Sequence, residues 1–159
     1  MVDIMVDIMV DIMSDIKNKI KIMKQYTDKL KQFNKAFGIE TDGTLDNPSI
    51  LRFKLLEEEN NEYLAAGSIY DTQDRRKEVL DAITDSLYII IGTIVHHGLE
   101  NDIEESFDIV HQSNMSKLEN GKPVVNGENG VFDKRKPVNK VLKGKDFKEP
   151  CFDNILNKK

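Results

Sequence analysis

Apolar residues recur at helical intervals through most of this chain. Ile20, Ile22, Met23, Tyr26, Leu30 and Phe33 predict a helix over 17–37, which Gly38 ends. A polar turn over 40–47 contains Gly43, and Pro48 suits the first position of a new helix. Leu55, Leu56, Tyr63 and Ala66 carry that helix over 49–66. A loop over 67–75 offers Asp71 or Thr72 as a cap for the next helix. Ile83, Leu87, Ile90 and Ile91 then predict a helix over 78–98, the most apolar segment, with the run 86–92 buried. Ile103, Phe107, Ile109 and Val110 predict another over 101–117. Beyond it the period is lost. Gly121, Pro123, Gly127, Gly130 and Pro137 mark a loop over 119–139, in which Val124-Val125 and Gly130-Val131-Phe132 are placed to pair as a short hairpin. Phe152, Ile155 and Leu156 suit a short terminal helix docked by its apolar side. The expected architecture is all-α, a bundle of four to five helices with a loop-rich C-terminal segment.

Residues 1–16 stand apart. They read Met-Val-Asp-Ile three times and then Met-Ser-Asp-Ile. A period of four drifts by about 40° per repeat against 3.6 residues per turn, so the isoleucines would spiral around a helix. This segment reads as a low-complexity appendage outside a single domain over 17–159, and no chemistry is assigned to it.

The polar positions that break the apolar pattern are acidic. Glu58, Glu59 and Glu62 form one cluster; Glu78, Asp81 and Asp85 form a second. Residues three or four apart share a helix face. Leu55, Glu59, Glu62 and Ala66 therefore run down one side of the first acidic helix. Glu78, Asp81, Asp85 and Tyr88 do the same on the second. The plain reading of such a run is a solvated surface. Against it, both rows lie within or beside an apolar face, and one short loop separates them. Carboxylates turned toward a core must be protonated, paired or metal-bound, and facing rows of oxygen ligands suit hard divalent cations.

Charge is unevenly spread. Residues 134–159 carry nine Lys or Arg against three Asp or Glu, a net +6, which leaves −11 on the rest of a chain of net charge −5. An acidic body with a basic tail does not have the footprint of a general nucleic-acid binder. The single cysteine, Cys151, excludes an internal disulfide and fits a reducing compartment. No run of eighteen apolar residues occurs, and the N-terminus lacks a basic start, so neither a membrane span nor a signal peptide is expected. His96 and His97 are adjacent and point apart on a helix, which suits C-terminal capping better than chelation. His111 reads as structural, and Arg75, Arg76 and Lys77 as a solvated surface.

Glu58-Glu59-x-x-Glu62, followed by Glu78-x-x-Asp81 and an apolar helix, resembles the all-α nucleoside triphosphate pyrophosphohydrolases: MazG-like enzymes, dimeric dUTPases and phosphoribosyl-ATP pyrophosphohydrolases. The blocks 32–38, 81–88, 113–117 and 143–150 resemble the MazG-like branch in the same order. The loop over 119–139 is longer than that pattern. The resemblance implies hydrolysis of a nucleoside triphosphate between the α and β phosphates, giving a monophosphate and pyrophosphate. It implies Mg²⁺ (or Mn²⁺) on Glu59, Glu62, Glu78, Asp81 and Asp85, with Glu58 as the base that orients water. Phe33, Asn34 and Phe37 would form the base pocket, and Asn114, Lys117 and Lys145 would take phosphates. It further implies a nucleotide such as dUTP or dCTP as substrate, a homodimer, and a cytoplasmic setting in a bacterium or phage-infected cell. Phosphoribosyl-ATP hydrolysis in histidine synthesis and a non-catalytic helical interaction role are the alternatives.

Overall fold

The structure is a computed structural model that describes residues 23–41, 50–128 and 131–158. The repeat over 1–16 and most of the turn around Gly43 and Pro48 lie outside the described residues. Among the described residues there are helices and isolated bridges but no strand. The chain divides into two compact units, residues 1–100 and 101–159.

The first unit contains α1, helical through residues 23–36, α2 (Ile50–Ala66) and α3 (Thr72–His96). Gly38, at φ +64°, lets the end of α1 reverse, with the amide of Ile39 donating to the carbonyl of Asn34 at 2.9 Å. Asp71 caps α3, its Oδ1 accepting from the amides of Gln73 (2.8 Å) and Asp74 (3.0 Å). The helix therefore begins six residues earlier than the apolar pattern alone suggested. Arg75 donates to the carbonyl of Ile69 at 2.6 Å, so it holds the α2–α3 loop. Gly98, at φ +64°, ends α3, and Leu99 N–H donates back to Ile94 at 3.0 Å.

α2 and α3 pack along each other. Leu30 of α1 joins Ile91 and Val95 of α3 in the buried core. Among the described residues two helices, α1 and α2, cover only one side of α3, and the expected burial of its whole apolar run is not met. Ile91 and Gly92 are buried, while Ile83, Leu87, Tyr88 and Ile90 are exposed; Tyr63 of α2 is exposed as well. α3 is long and apolar enough by composition to cross a membrane. It carries Glu78, Asp81 and Asp85, which are costly in hydrocarbon.

The second unit holds α4 (Ile103–Met115) and α5 (Asp153–Leu156). Between them the chain is irregular but tied down. Ser113 Oγ donates to the carbonyl of Lys148 at 2.8 Å, and the amide of Lys148 donates to Ser116 Oγ at 2.9 Å. Gly130 of the expected hairpin lies outside the described residues, and Val124-Val125 pair elsewhere than with Val131-Phe132. Val125 bridges to Val141, and the amide of Leu142 donates to the carbonyl of Val124 at 2.8 Å. The reason is Asn126, which is fully buried. Its Nδ2 donates to the carbonyls of Asp133, Lys136 and Pro137 at 3.1, 2.9 and 3.0 Å, and its Oδ1 accepts from the amide of Asp133 at 2.7 Å. These bonds fold 131–137 into its own turn. Of the apolar set expected to dock α5, Ile155 is buried, whereas Phe152 and Leu156 are exposed.

Candidate active site

The acidic rows meet where α2 and α3 run side by side. Arg52, Leu55, Leu56 and Glu59 lie on the half-buried side of α2, while Glu58 and Glu62 flank them in solvent. Glu59 Oε2 is buried and has no hydrogen-bond partner. Desolvation first, and then the negative charges of Glu62, Asp85, Glu58 and Asp81, hold the Glu59 carboxyl above its ordinary value. Negative charges from both helices therefore act on this one carboxyl. Glu78 does not contribute to it; its Oε1 lies 3.6 Å from Lys77 Nζ, two turns before Asp85. Among the described residues no three acidic, histidine or cysteine side chains converge as a metal cage. Uncompensated carboxylates repel and spread into water. An orphaned, partly desolvated oxygen with four like charges around it nevertheless fits a hard cation, since oxygen donors of this kind are its preferred ligands.

Next to the acids along α2 is a pocket of about 340 Å³. α1 gives it Leu30, Phe33 and Asn34; α2 gives Leu51, Arg52 and Leu55; α3 gives Tyr88, Ile89, Gly92 and His96. Phe33 stands edge-on to Tyr88 at 5.8 Å between centroids. Phe37 packs on Phe33 at 4.4 Å, stays 69% exposed and does not line the pocket. Asn34 is only 6% exposed, and its Nδ2 has no partner. A larger, open depression of about 530 Å³ is lined by Lys54, Glu57, Glu58, Asn61, Glu62 and Ala65. All its walls come from one helix, so it is a surface furrow.

In the second unit, Lys117 Nζ donates to Asn114 Oδ1 at 2.5 Å. The amide of Lys145 donates to Glu119 Oε1 at 2.8 Å. Gly144 lies so close that a Cβ there would be 2.7 Å from the Lys117 carbonyl. These contacts gather the backbone around Lys145 onto the end of α4, beside Asn114 and Lys117. Lys143 is engaged by Glu149 and lies over the Phe147 ring at 4.3 Å.

Sequence reasoning gave no pocket role to Arg52, Tyr88, Gly92 or His96, reading Tyr88 as part of a helix face, Gly92 as part of a buried run and His96 as a helix cap. Two signals were available: a charged residue on the apolar side of α2, and a glycine in mid-helix within an apolar run, which costs about 1 kcal/mol against alanine and marks a close approach.

A helical hairpin that carries acidic rows on both helices beside an apolar pocket defines the class of this all-α protein. The sequence profile of the phosphoribosyl-ATP pyrophosphohydrolase family matches residues 23–114, more than half of the chain, and the protein belongs to that family, within the MazG-like all-α nucleoside triphosphate pyrophosphohydrolase superfamily. It is a pyrophosphohydrolase of the MazG-like kind. A comparison with curated proteins finds no match.

Proposed function

We propose that the protein hydrolyses a nucleoside triphosphate between the α and β phosphates, releasing a monophosphate and pyrophosphate, with dUTP or dCTP as representative substrates. The observation that carries this reading is the Glu59 carboxyl, with one oxygen buried and without a hydrogen-bond partner, under the negative charges of Glu62, Asp85, Glu58 and Asp81. A polyanionic substrate is repelled by such a centre unless the carboxylates are neutralised. Glu59, Glu62, Asp81 and Asp85 would hold Mg²⁺ or Mn²⁺, with Glu78 as a further ligand from the start of α3. When bound, the ion supplies charge neutralisation at the phosphates and a more acidic water.

The chain's own groups divide the remaining work. Glu58 is exposed and close enough to couple to Glu59, which suits it to orient an attacking water and accept its proton. Phe33 gives the base an aromatic wall, and Asn34 gives it a polar contact at the pocket floor. Phe37 supports Phe33 from outside the pocket. Asn114, Lys117 and Lys145 are proposed to take phosphate oxygens, by charge-assisted hydrogen bonds. The exposed stripe Leu80, Ile83, Leu87 and Ile90 on α3 supports a homodimer, because its spacing is that of a helix–helix seam.

The test is release of pyrophosphate and monophosphate from a nucleotide panel, with and without Mg²⁺ or Mn²⁺. Metal-dependent release is expected, and Glu59→Gln and Asp81→Asn should each lower it by about a hundredfold or more while the helical circular dichroism is retained. Full activity in both variants would reject the site. The family's own description favours a second reading, in which the substrate is phosphoribosyl-ATP. A pocket of about 340 Å³ is small for a base bearing a second ribose phosphate, and including that compound in the panel separates the two.

A further inference from the structure

The second unit holds a chemistry that the proposed reaction does not use. The chain has three Asn-Gly pairs, at 120–121, 126–127 and 129–130. In such a pair the glycine leaves its own amide nitrogen unshielded, so that nitrogen can attack the carboxamide of the asparagine before it. The third pair lies outside the described residues. The first two sit in opposite surroundings.

Asn126 is fully buried. Its Nδ2 donates to the carbonyls of Asp133, Lys136 and Pro137, and its Oδ1 accepts from the amide of Asp133. The nitrogen that would attack it, on Gly127, is itself engaged and donates to the Val131 carbonyl at 2.8 Å. Reaction there must first break these bonds, each worth about 1 kcal/mol net.

Asn120 is exposed at the tip of a two-residue loop. The Glu119 amide donates to the Lys122 carbonyl at 2.8 Å, and the Lys122 amide returns to Glu119 at 2.9 Å. Between them Asn120 has φ +50° and Gly121 φ +74°, the positive pair that tight hairpin turns ask of Asn-Gly. Among the described residues neither the Asn120 carboxamide nor the Gly121 N–H makes a hydrogen bond. A Cβ on Gly121 would meet nothing within 4 Å. No packing there opposes rotation of the 120–121 peptide, which carries the nitrogen to the carboxamide carbon.

We propose that Asn120 is a site of spontaneous deamidation, which the folded chain withholds from Asn126, and that its conversion loosens the hold of Glu119 on the segment around Lys145. The Gly121 nitrogen loses its proton to solvent base and bonds to Asn120 Cγ. The Cγ–Nδ2 bond breaks, and the nitrogen takes a proton from water and leaves as ammonia. The succinimide so formed consumes one water. Cleavage of its Cγ–N bond gives aspartate; cleavage of its backbone C–N bond gives isoaspartate, with the main chain rerouted through the side chain. That route is one backbone atom longer, and a two-residue loop has no slack to keep Glu119 and Lys122 paired. Glu119 Oε1 accepts from the Lys145 amide at 2.8 Å, and a Cβ on Gly144 would stand 2.8 Å from Glu119 Cγ. A displaced Glu119 therefore frees the Lys145 amide. None of this depends on the hydrolytic reading of the acidic helices.

The whole chain is aged in warm, mildly alkaline buffer, digested and mapped by tandem mass spectrometry, which assigns the exchange of NH₂ for OH to each asparagine separately. Asn120 is expected to convert at least about tenfold faster than Asn126, since each 1.4 kcal/mol of lost hydrogen bonding is worth a factor of ten. In denaturant the two rates should converge. Hydrogen exchange of the aged protein should show a faster Lys145 amide. Asn120→Gly keeps both positive φ angles and removes the carboxamide, so its Lys145 amide should stay protected with age. Equal rates at Asn120 and Asn126 in the folded chain, or an intact Asn120 beside a converted Asn126, overturns the site. Conversion of Asn120 with unchanged protection at Lys145 overturns the link to Glu119.

Discussion

At the scale of single residues, Glu59 carries the most information. Its carboxyl is pushed above the ordinary range by desolvation and then by Glu62, Asp85, Glu58 and Asp81. A carboxyl with a raised folded-state pKa binds a proton more readily folded than unfolded. Its favourable contribution is complete below the unfolded-state pKa and is lost as pH rises through the folded value. At neutral pH the Glu59 charge therefore opposes folding. Glu59→Gln is expected to raise the melting temperature at pH 7 in the absence of divalent ions, and the gain should vanish as pH falls into the ordinary glutamate range. Mg²⁺ should stabilise the wild type and leave the variant nearly unchanged, since a ligand stabilises only the state that binds it. Calorimetry at several pH values, with and without Mg²⁺, checks both arms; a variant less stable at pH 7 without metal would contradict the electrostatic account. That Glu59 turns inward was legible in the sequence, from its place between Leu55 and Ala66 on one helix face. That Asn34 Nδ2 lacks a partner was not, because a missing hydrogen bond is a property of the packed surroundings.

Elements form here for reasons close to the sequence and are then fixed by contacts far from it. The Asp71 cap and the glycine terminators Gly38 and Gly98 act within a few residues, so their positions could be read directly. The start of α3 was read late because Gln73 to Lys77 are polar and carry no apolar period, though the cap already implied helix there. The segment after α4 is different. Its course depends on Asn126 and on Gly144, both of which act through partners distant in sequence. A Cβ at Gly144 would lie 2.7 Å from the Lys117 carbonyl and 2.8 Å from Glu119 Cγ. Gly144→Ala must therefore move backbone, and it is expected to cost about 2 kcal/mol. Hydrogen exchange should show faster amides at Lys145 and Lys148, which bond to Glu119 and Ser116. Unchanged protection at both would mean that the close approach is not what holds the segment.

At the scale of the molecule, the described helices of the first unit leave apolar surface exposed. Leu80, Ile83, Leu87 and Ile90 are between 45% and 64% exposed along one stripe of α3. Such a contiguous stripe marks an interaction surface more often than a solvated face. The proposed homodimer places a second copy there. Leu87→Glu puts a charge in the middle of the stripe and is expected to shift the protein toward monomer by at least tenfold in dissociation constant, about 1.4 kcal/mol or more. Sedimentation velocity of wild type and variant at micromolar concentration reads this out. A wild-type monomer, or a variant dimer of equal affinity, would remove the stripe from the interface.

The sequence by itself determined what depends on neighbours along the chain: the presence of the helices, the glycines that stop them, the paired acidic rows on α2 and α3, and the family. Period, capping and like-charge spacing are local, and they survive without knowledge of what packs where. Tertiary structure decided which acids share a centre, leaving Glu78 apart from the other five, and which apolar residues are buried. It also decided that Phe37 stays outside the pocket and that Arg52 enters it across Gly92. These outcomes turn on distances between residues far apart in sequence, such as the close approach of Arg52 on α2 to Gly92 on α3.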